Sequence, residues 1–262
     1  MDLGLVGRRA LVTGASAGIG RASAAQLAAE GAHVAMVARR ADVLEQAAAE
    51  IGAATGSRPL TYVADLADPA QVDDVVARAA AALGGLDVLV NCVPAPVWGL
   101  FVDHDDAAWE HALQLKFLTY VRAIRAAIPH LAAGGHGVVV NVIGIGGRQP
   151  IKEHLAGGAA NAALMLLTNG LAKELAAQRI RVVGINPGAV RTERFEAMTA
   201  KFVQDDPVDG DAFERDLIAS MPTGEILLPQ DVADLVAFLA SDRARQINGT
   251  TITQDGGAMP TV

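Results

Sequence analysis

The sequence predicts an α/β fold: a doubly wound, seven-stranded parallel sheet flanked by helices on both faces. Three observations carry that prediction. Short apolar runs alternate with longer segments of helical period, the pattern of strands joined by crossover helices. Several runs, such as Val34 to Val37, Val88 to Val90 and Val138 to Val140, are continuously apolar, as strands covered on both faces must be. A glycine-rich turn follows the first run and leads directly into a helical segment.

Taken in order, strands are expected near 8–13, 33–38, 60–64, 86–90, 137–142, 180–185 and 250–253. Helices are expected over 18–30, 41–52, 69–83, 106–133, 153–177 and 229–240. The third helix opens on Asp68-Pro69, a capping side chain followed by a residue suited to the first helical position. No linker, low-complexity tract or solenoid repeat interrupts the chain, so 1–262 is read as a single domain. The segment 191–225 is charged, contains Asp205-Asp206-Pro207 and Asp209-Gly210-Asp211, and is too long for an ordinary connection. It is read as a lid, with Phe195, Met198, Phe202 and Phe213 on the substrate side if it closes.

Composition narrows the function classes. With 52% hydrophobic and 19% charged residues over 262, the chain has enough apolar material for a large core. A net charge of -8 argues against nucleic acid as a partner, because a phosphate-tracking surface would work against the overall field. One cysteine, Cys92, cannot form an internal disulfide, and the opening residues Met1, Asp2, Gly4 and Gly7 lack the basic and apolar regions of a secretion signal. A reduced, cytoplasmic setting is the expectation. No apolar run reaches the ~18 residues of a spanning helix, so no membrane partner is expected.

The turn after the first strand reads T-G-A-S-A-G-I-G, Thr13 to Gly20. Gly14 turns tightly, Gly18 lets backbone approach a pyrophosphate, Gly20 permits close helix packing, and the helix start offers unpaired N–H groups to an anion. The spacing T-G-x-x-x-G-x-G resembles that of the short-chain dehydrogenase/reductase family, whose members have a Rossmann-type sheet. Other segments extend the resemblance along nearly the whole chain: Asp65-Leu66 after the third strand, Asn91 after the fourth, Asn186-Pro187-Gly188 with Thr192, Pro229 to Ser241, and Gly249 to Gly257. The resemblance implies cofactor contacts at Gly14, Ser16, Gly18, Ile19, Gly20, Asp65, Leu66, Asn91, Pro187, Gly188 and Thr192. It implies no metal.

The end of the second strand chooses between dinucleotides. Where NAD-selective relatives place an acid, this chain has Ala38, followed by Arg39 and Arg40. A carboxylate repels a 2'-phosphate, whereas a guanidinium pairs with it. NADP(H) is therefore preferred. NAD(H) stays open, because Ala17 stands where many NADP-using relatives carry an extra basic residue.

The resemblance stops at the chemistry. The family's proton relay uses a tyrosine, a lysine four residues on, a serine and an asparagine. In this chain the serine position falls at Gly144, the tyrosine at Gly157, the lysine at Asn161 and the asparagine at Lys116. The two tyrosines make the loss independent of alignment: Tyr62 is followed at the fourth place by Leu66, and Tyr120 by Ile124. General acid catalysis needs a tuned donor within reach of the carbonyl oxygen. The candidates are Lys116, which exchanges places with Asn161, and His154, on one helical face with Gly157 and Asn161. Lys152 and Glu153 rank lower as solvated loop charges. The glycines leave an enlarged, rebuilt pocket. In place of the family's N-N-A-G stands Asn91-Cys92-Val93-Pro94, then Ala95-Pro96, a stiffer loop with fewer backbone donors. Cys92 reads as a small buried residue.

Three functions are consistent with this pattern. The first is an NADP(H)-dependent oxidoreductase of small molecules whose proton donor is Lys116, His154, a water or the substrate. The second is a non-redox lyase, isomerase or dehydratase using the same groups. The third is a non-catalytic cofactor-binding subunit paired with an active homologue. The resemblance also implies a homotetramer or homodimer packed through 106–133 and 153–177.

Overall fold

The computed structural model describes residues 2–95, 97–205 and 210–259, without the side chains of Met198 and 201–213. The expectations for Pro96, for the side chains of Met198, Phe202 and Phe213, and for the middle of the 191–225 lid lie outside the described residues. Seven strands form one parallel sheet in the order β3-β2-β1-β4-β5-β6-β7. They are β1 (Arg9–Thr13), β2 (His33–Ala38), β3 (Leu60–Val63), β4 (Val88–Asn91), β5 (Gly137–Val142), β6 (Ile180–Pro187) and β7 (Thr251–Gln254). The chain winds outward from β1 to β3, then returns to the centre and winds the other way from β4. The crevice between the carboxyl ends of β1 and β4 is the switch point at which such sheets bind ligands.

Helices cover both faces. On one side α1 (Gly18–Ala29), α2 (Ala41–Thr55) and α9 (Pro229–Ala240) pack Leu27, Leu44 and Val236 against Val12, Met36 and Val183. On the other, α3 (Pro69–Leu83), α5 (Thr119–Gly134) and α6 (Leu155–Glu174) set Val76, Ile124 and Ala172 against Leu11, Leu89 and Val182. Alternate residues of β1 thus serve opposite cores, which is why its run is continuously apolar. The start of α3 follows from its sequence: the Asp68 carboxylate accepts from Ala70 N at 3.0 Å, and Pro69 needs no partner for a missing N–H.

Two elements differ from expectation. The helix expected over 106–133 is divided into α4 (Asp106–Ala112), a π-helical segment (Leu113–Leu118) and α5. Widening of the turn shifts the side chains that follow relative to a regular helix, and it falls at Lys116. The segment 191–225, read as a lid and assigned no helix, carries two, α7 (Glu193–Asp205) and α8 (Gly210–Ser220). Their packing includes a small core of Phe195, Met221 and Ile226.

Candidate active site

The glycine loop is pressed into place by contacts that admit no side chain. Gly14 has φ +64°, and a Cβ there would lie 2.3 Å from the carbonyl oxygen of Cys92 just beyond β4. A Cβ on Gly20 would lie 2.3 Å from the Gly14 oxygen, so the first turn of α1 sits directly on the loop. Thr13 Oγ1 ties the loop across the switch point by accepting from Cys92 N at 3.1 Å. No side chain caps α1, leaving its first N–H groups to an incoming anion. Ser16 and Ile19 are half-buried, and Ile19 packs on the core. Gly18 faces Thr192, whose methyl would be 3.2 Å from an added Cβ. A tight, uncapped cradle of this kind fits a dinucleotide pyrophosphate. Gly14→Ala is expected to weaken NADP(H) binding at least about tenfold, because backbone at both 14 and 92 must move; titration of cofactor fluorescence checks it.

The other expected contacts line the same strand ends. Arg39 and Arg40 are exposed just past β2, with Arg40 at the N-cap of α2. Asp65 is exposed and accepts from Ala67 N at 3.0 Å, while Leu66 is buried. Asn91 is fully buried; its Nδ2 donates to Asn141 Oδ1 at 3.0 Å, and Asn141 donates on to Thr168 Oγ1 at 3.1 Å. Pro187 closes β6, Gly188 packs on Asp255, and Thr192 Oγ1 accepts from Phe195 N at 3.1 Å to start α7.

At the chemical end, His154 is 8% exposed and its ring lies beside Gly157. A Cβ on Gly157 would stand 2.0 Å from the imidazole Cε1 and 2.3 Å from Nε2. The imidazole therefore fills space that a side chain at 157 would need. Its Nδ1 is 3.0 Å from the Val97 carbonyl oxygen, so in the neutral ring the proton sits on Nδ1 and Nε2 is the acceptor. Trp98 stacks on the ring at 4.2 Å between centroids. Burial lowers the His154 pKa below its ordinary value; the Val97 carbonyl opposes the fall, and Arg194 and Lys116 add to it.

Lys116 is turned inward, only 3% exposed. Its Nζ donates to Val93 O at 2.8 Å, Tyr120 Oη at 2.9 Å and Val142 O at 3.0 Å. Tyr120 Oη in turn donates to Val142 O at 2.6 Å. Three acceptors occupy three N–H groups, and the side chain bridges the ends of β4 and β5. Burial pulls the lysine down to about 7, with the Cys92 thiol opposing and Arg194 reinforcing the fall. Cys92 itself is pushed up to about 11 by burial, away from thiolate chemistry.

Gly144 faces Asn161, whose Nδ2 lies 3.2 Å from where a Cβ on Gly144 would be. Asn161 is 4% exposed, and its Oδ1 has no partner among the described residues. Lys152 points to solvent and pairs with Glu153 at 3.1 Å. Sequence reasoning missed three participants. Tyr120 stands four residues after Lys116, a spacing that puts both on one helical face. Trp98 and Arg194 had no local signal; the Arg194 guanidinium donates to the carbonyl of Ala95, a residue far away in sequence.

A parallel sheet with a glycine cradle at its switch point defines a dinucleotide-binding α/β protein. The comparisons narrow that class. Residues 8–202 match the family model for short chain dehydrogenases. "Nodulation protein G" of Rhizobium sp. (strain N33) is 33% identical over 256 residues, 97% of each chain. L-sorbose reductase from Gluconobacter frateurii, solved with NADPH and L-sorbose, superposes with a TM-score of 0.95 at 32% identity over 100% of both chains. A short chain dehydrogenase from Burkholderia cenocepacia J2315, solved with NADP, is 36% identical with a TM-score of 0.85, covering 97% of this chain and 98% of that one. The chain belongs to the short chain dehydrogenase family.

Proposed function

We propose that this protein interconverts a carbonyl compound and its alcohol with NADP(H), and that His154 exchanges the proton. The observation that carries the reading is the imidazole beside Gly157, fixed through Nδ1 on Val97 O and stacked on Trp98. Bound at the cradle, the nicotinamide supplies or takes the hydride. Gly14, Ser16, Gly18, Ile19 and Gly20 hold the pyrophosphate, and the Arg39 and Arg40 guanidinium groups pair with the 2'-phosphate. Asp65 and Leu66 flank the adenine, while Pro187, Gly188 and Thr192 face the nicotinamide. The unpartnered Asn161 Oδ1 accepts from a ligand hydroxyl on that side. NADPH and NADP in the two solved relatives support the cofactor choice.

His154 Nε2 is the atom that works. Neutral, it accepts the hydroxyl proton of an alcohol; protonated, it donates to the oxygen of a carbonyl. Lys116 acts through position, joining the ends of β4 and β5 beneath the ligand with all three N–H groups engaged. The non-standard donor and the substituted glycines make the active site atypical. Exposed Leu113 and Leu166, on the π segment and α6, suit contact between copies in a homodimer or homotetramer.

Oxidation of NADPH with a panel of ketones, followed by its absorbance, tests the reading. Substrate conversion with NADPH unchanged would favour non-redox chemistry. Arg39→Ala is expected to weaken NADPH at least about tenfold while leaving NADH nearly unchanged; equal losses for the two would remove the 2'-phosphate assignment.

A further inference from the structure

We propose that the substrate carries a carboxylate close to its reacting carbonyl, and that Arg194 binds it. This rests on the oxidoreductase reading and adds what selects the substrate. The loop after β4 gathers three basic side chains on alternate carbonyls. Val93 O accepts from Lys116 Nζ at 2.8 Å, Ala95 O accepts from the Arg194 guanidinium, and Val97 O bonds His154 Nδ1 at 3.0 Å. They arrive from three separate elements: the π segment, the first turn of α7 and the turn before α6. The carbonyls of Val93, Ala95 and Val97 thus collect the basic groups on the reactive side of the cleft.

No described acid balances them. Glu153 pairs with Lys152, and the neighbouring Arg191 takes Glu214. Among the described residues Arg194 has no carboxylate partner, and its residue surface is exposed. One nitrogen is bonded to Ala95 O, leaving the rest of a planar five-donor fork to match a carboxylate. Its charge is felt at both His154 and Lys116, so the groups share one field. In a chain of net charge -8, the Arg194 guanidinium, charged where His154 and Lys116 lose their protons readily, draws an anion to this place.

Spacing sets the kind of acid. Two residues of chain span at most roughly 7 Å, so the carbonyls that hold Arg194 and His154 lie within that distance of each other, and a short substrate suits the pair of side chains they anchor. A 2-oxo or 3-oxo acid, or the matching hydroxy acid, places its carboxylate at Arg194 and its oxygen at His154 Nε2.

The test is a binding titration on the full chain saturated with NADP(H), followed by tryptophan fluorescence. The probes are 2-oxobutanoate, 3-oxobutanoate and phenylglyoxylate, each beside its methyl ester. At least one acid should bind tenfold or more tighter than its ester, Arg194→Gln should erase that preference, and Arg194→Lys should keep part of it. Equal binding of acid and ester throughout, or a preference that survives Arg194→Gln, would overturn the proposal. So would an equal loss of NADPH affinity in Arg194→Gln, which would place the guanidinium on the cofactor phosphates. Acid preference without NADPH oxidation keeps this inference and removes the oxidoreductase reading; oxidation of neutral ketones without acid preference does the reverse.

Discussion

Replacing His154 with glutamine is expected to lower turnover in either direction by about 10²- to 10⁴-fold, with NADPH affinity nearly unchanged. Glutamine keeps a polar group near Val97 and removes the titrating nitrogen. The loss should fall on kcat, because Nε2 acts on the reacting oxygen rather than holding the cofactor. A second variant reaches the same ring from outside. Gly157→Ala places a methyl 2.0 Å from the imidazole Cε1, so the ring must leave its position on Trp98 and Val97. It should reproduce most of the kinetic loss with the histidine still present. Full activity in both variants would show that the proton travels elsewhere.

Replacing Lys116 with methionine is expected to change stability and its pH dependence together. The substitution removes the lysine donor from Val93 O and Val142 O; the Tyr120 hydroxyl still donates to Val142 O at 2.6 Å, so the cost is about 1–3 kcal/mol for Val93 O, the one carbonyl left without a donor. Methionine also removes the penalty of burying a charge, and that opposing gain depends on pH. The unfolded lysine titrates near 10.5 and the folded one at about 7, so between those values the unfolded chain binds more protons. Stability of the wild type should therefore rise with pH above about 7, by up to about 1.4 kcal/mol per unit. Cys92 works in the opposite direction: folded at about 11 and unfolded near 9.0, it removes stability as pH climbs from 9 towards 11. The clean window is 7 to 9. Urea unfolding at pH 7, 8 and 9 should show a rising midpoint in the wild type and a flat one in Lys116→Met. A midpoint in the wild type that does not move would contradict the buried, easily deprotonated amine.

The parts of the fold that were legible are those fixed by local chemistry. Continuous apolar runs such as Val138 to Val140 become strands buried on both faces, and Asp68-Pro69 starts a helix for reasons contained in two residues. The glycine loop was legible because its spacing encodes contacts with strand ends, including Gly14 on Cys92 O. The π segment was not, since no propensity marks the residue at which a helix widens. Lys116 was legible as a candidate, but its inward turn was not, since that depends on acceptors at Val93 and Val142 supplied by other elements and on Tyr120 four residues on. Arg194 on Ala95 and Trp98 on His154 are contacts made only once the loop after β4 is folded across the cleft. The vacated tyrosine position was legible as a loss, and the spacing of 154 from 157 put the imidazole beside it, although His154 lies in the turn that precedes α6 and not within the helix.

The most direct test of the account is the pH profile of carbonyl reduction in the wild type and in His154→Gln. Reduction needs the proton on Nε2, and burial holds that ring below its ordinary value of 6.5. In the wild type, kcat/KM should be level at low pH and fall tenfold per unit as pH rises through a pKa below 6.5, while kcat/KM for alcohol oxidation should show the mirror-image limb. Neither limb should remain in His154→Gln. Profiles of the same shape in both proteins would contradict the assignment of proton transfer to His154.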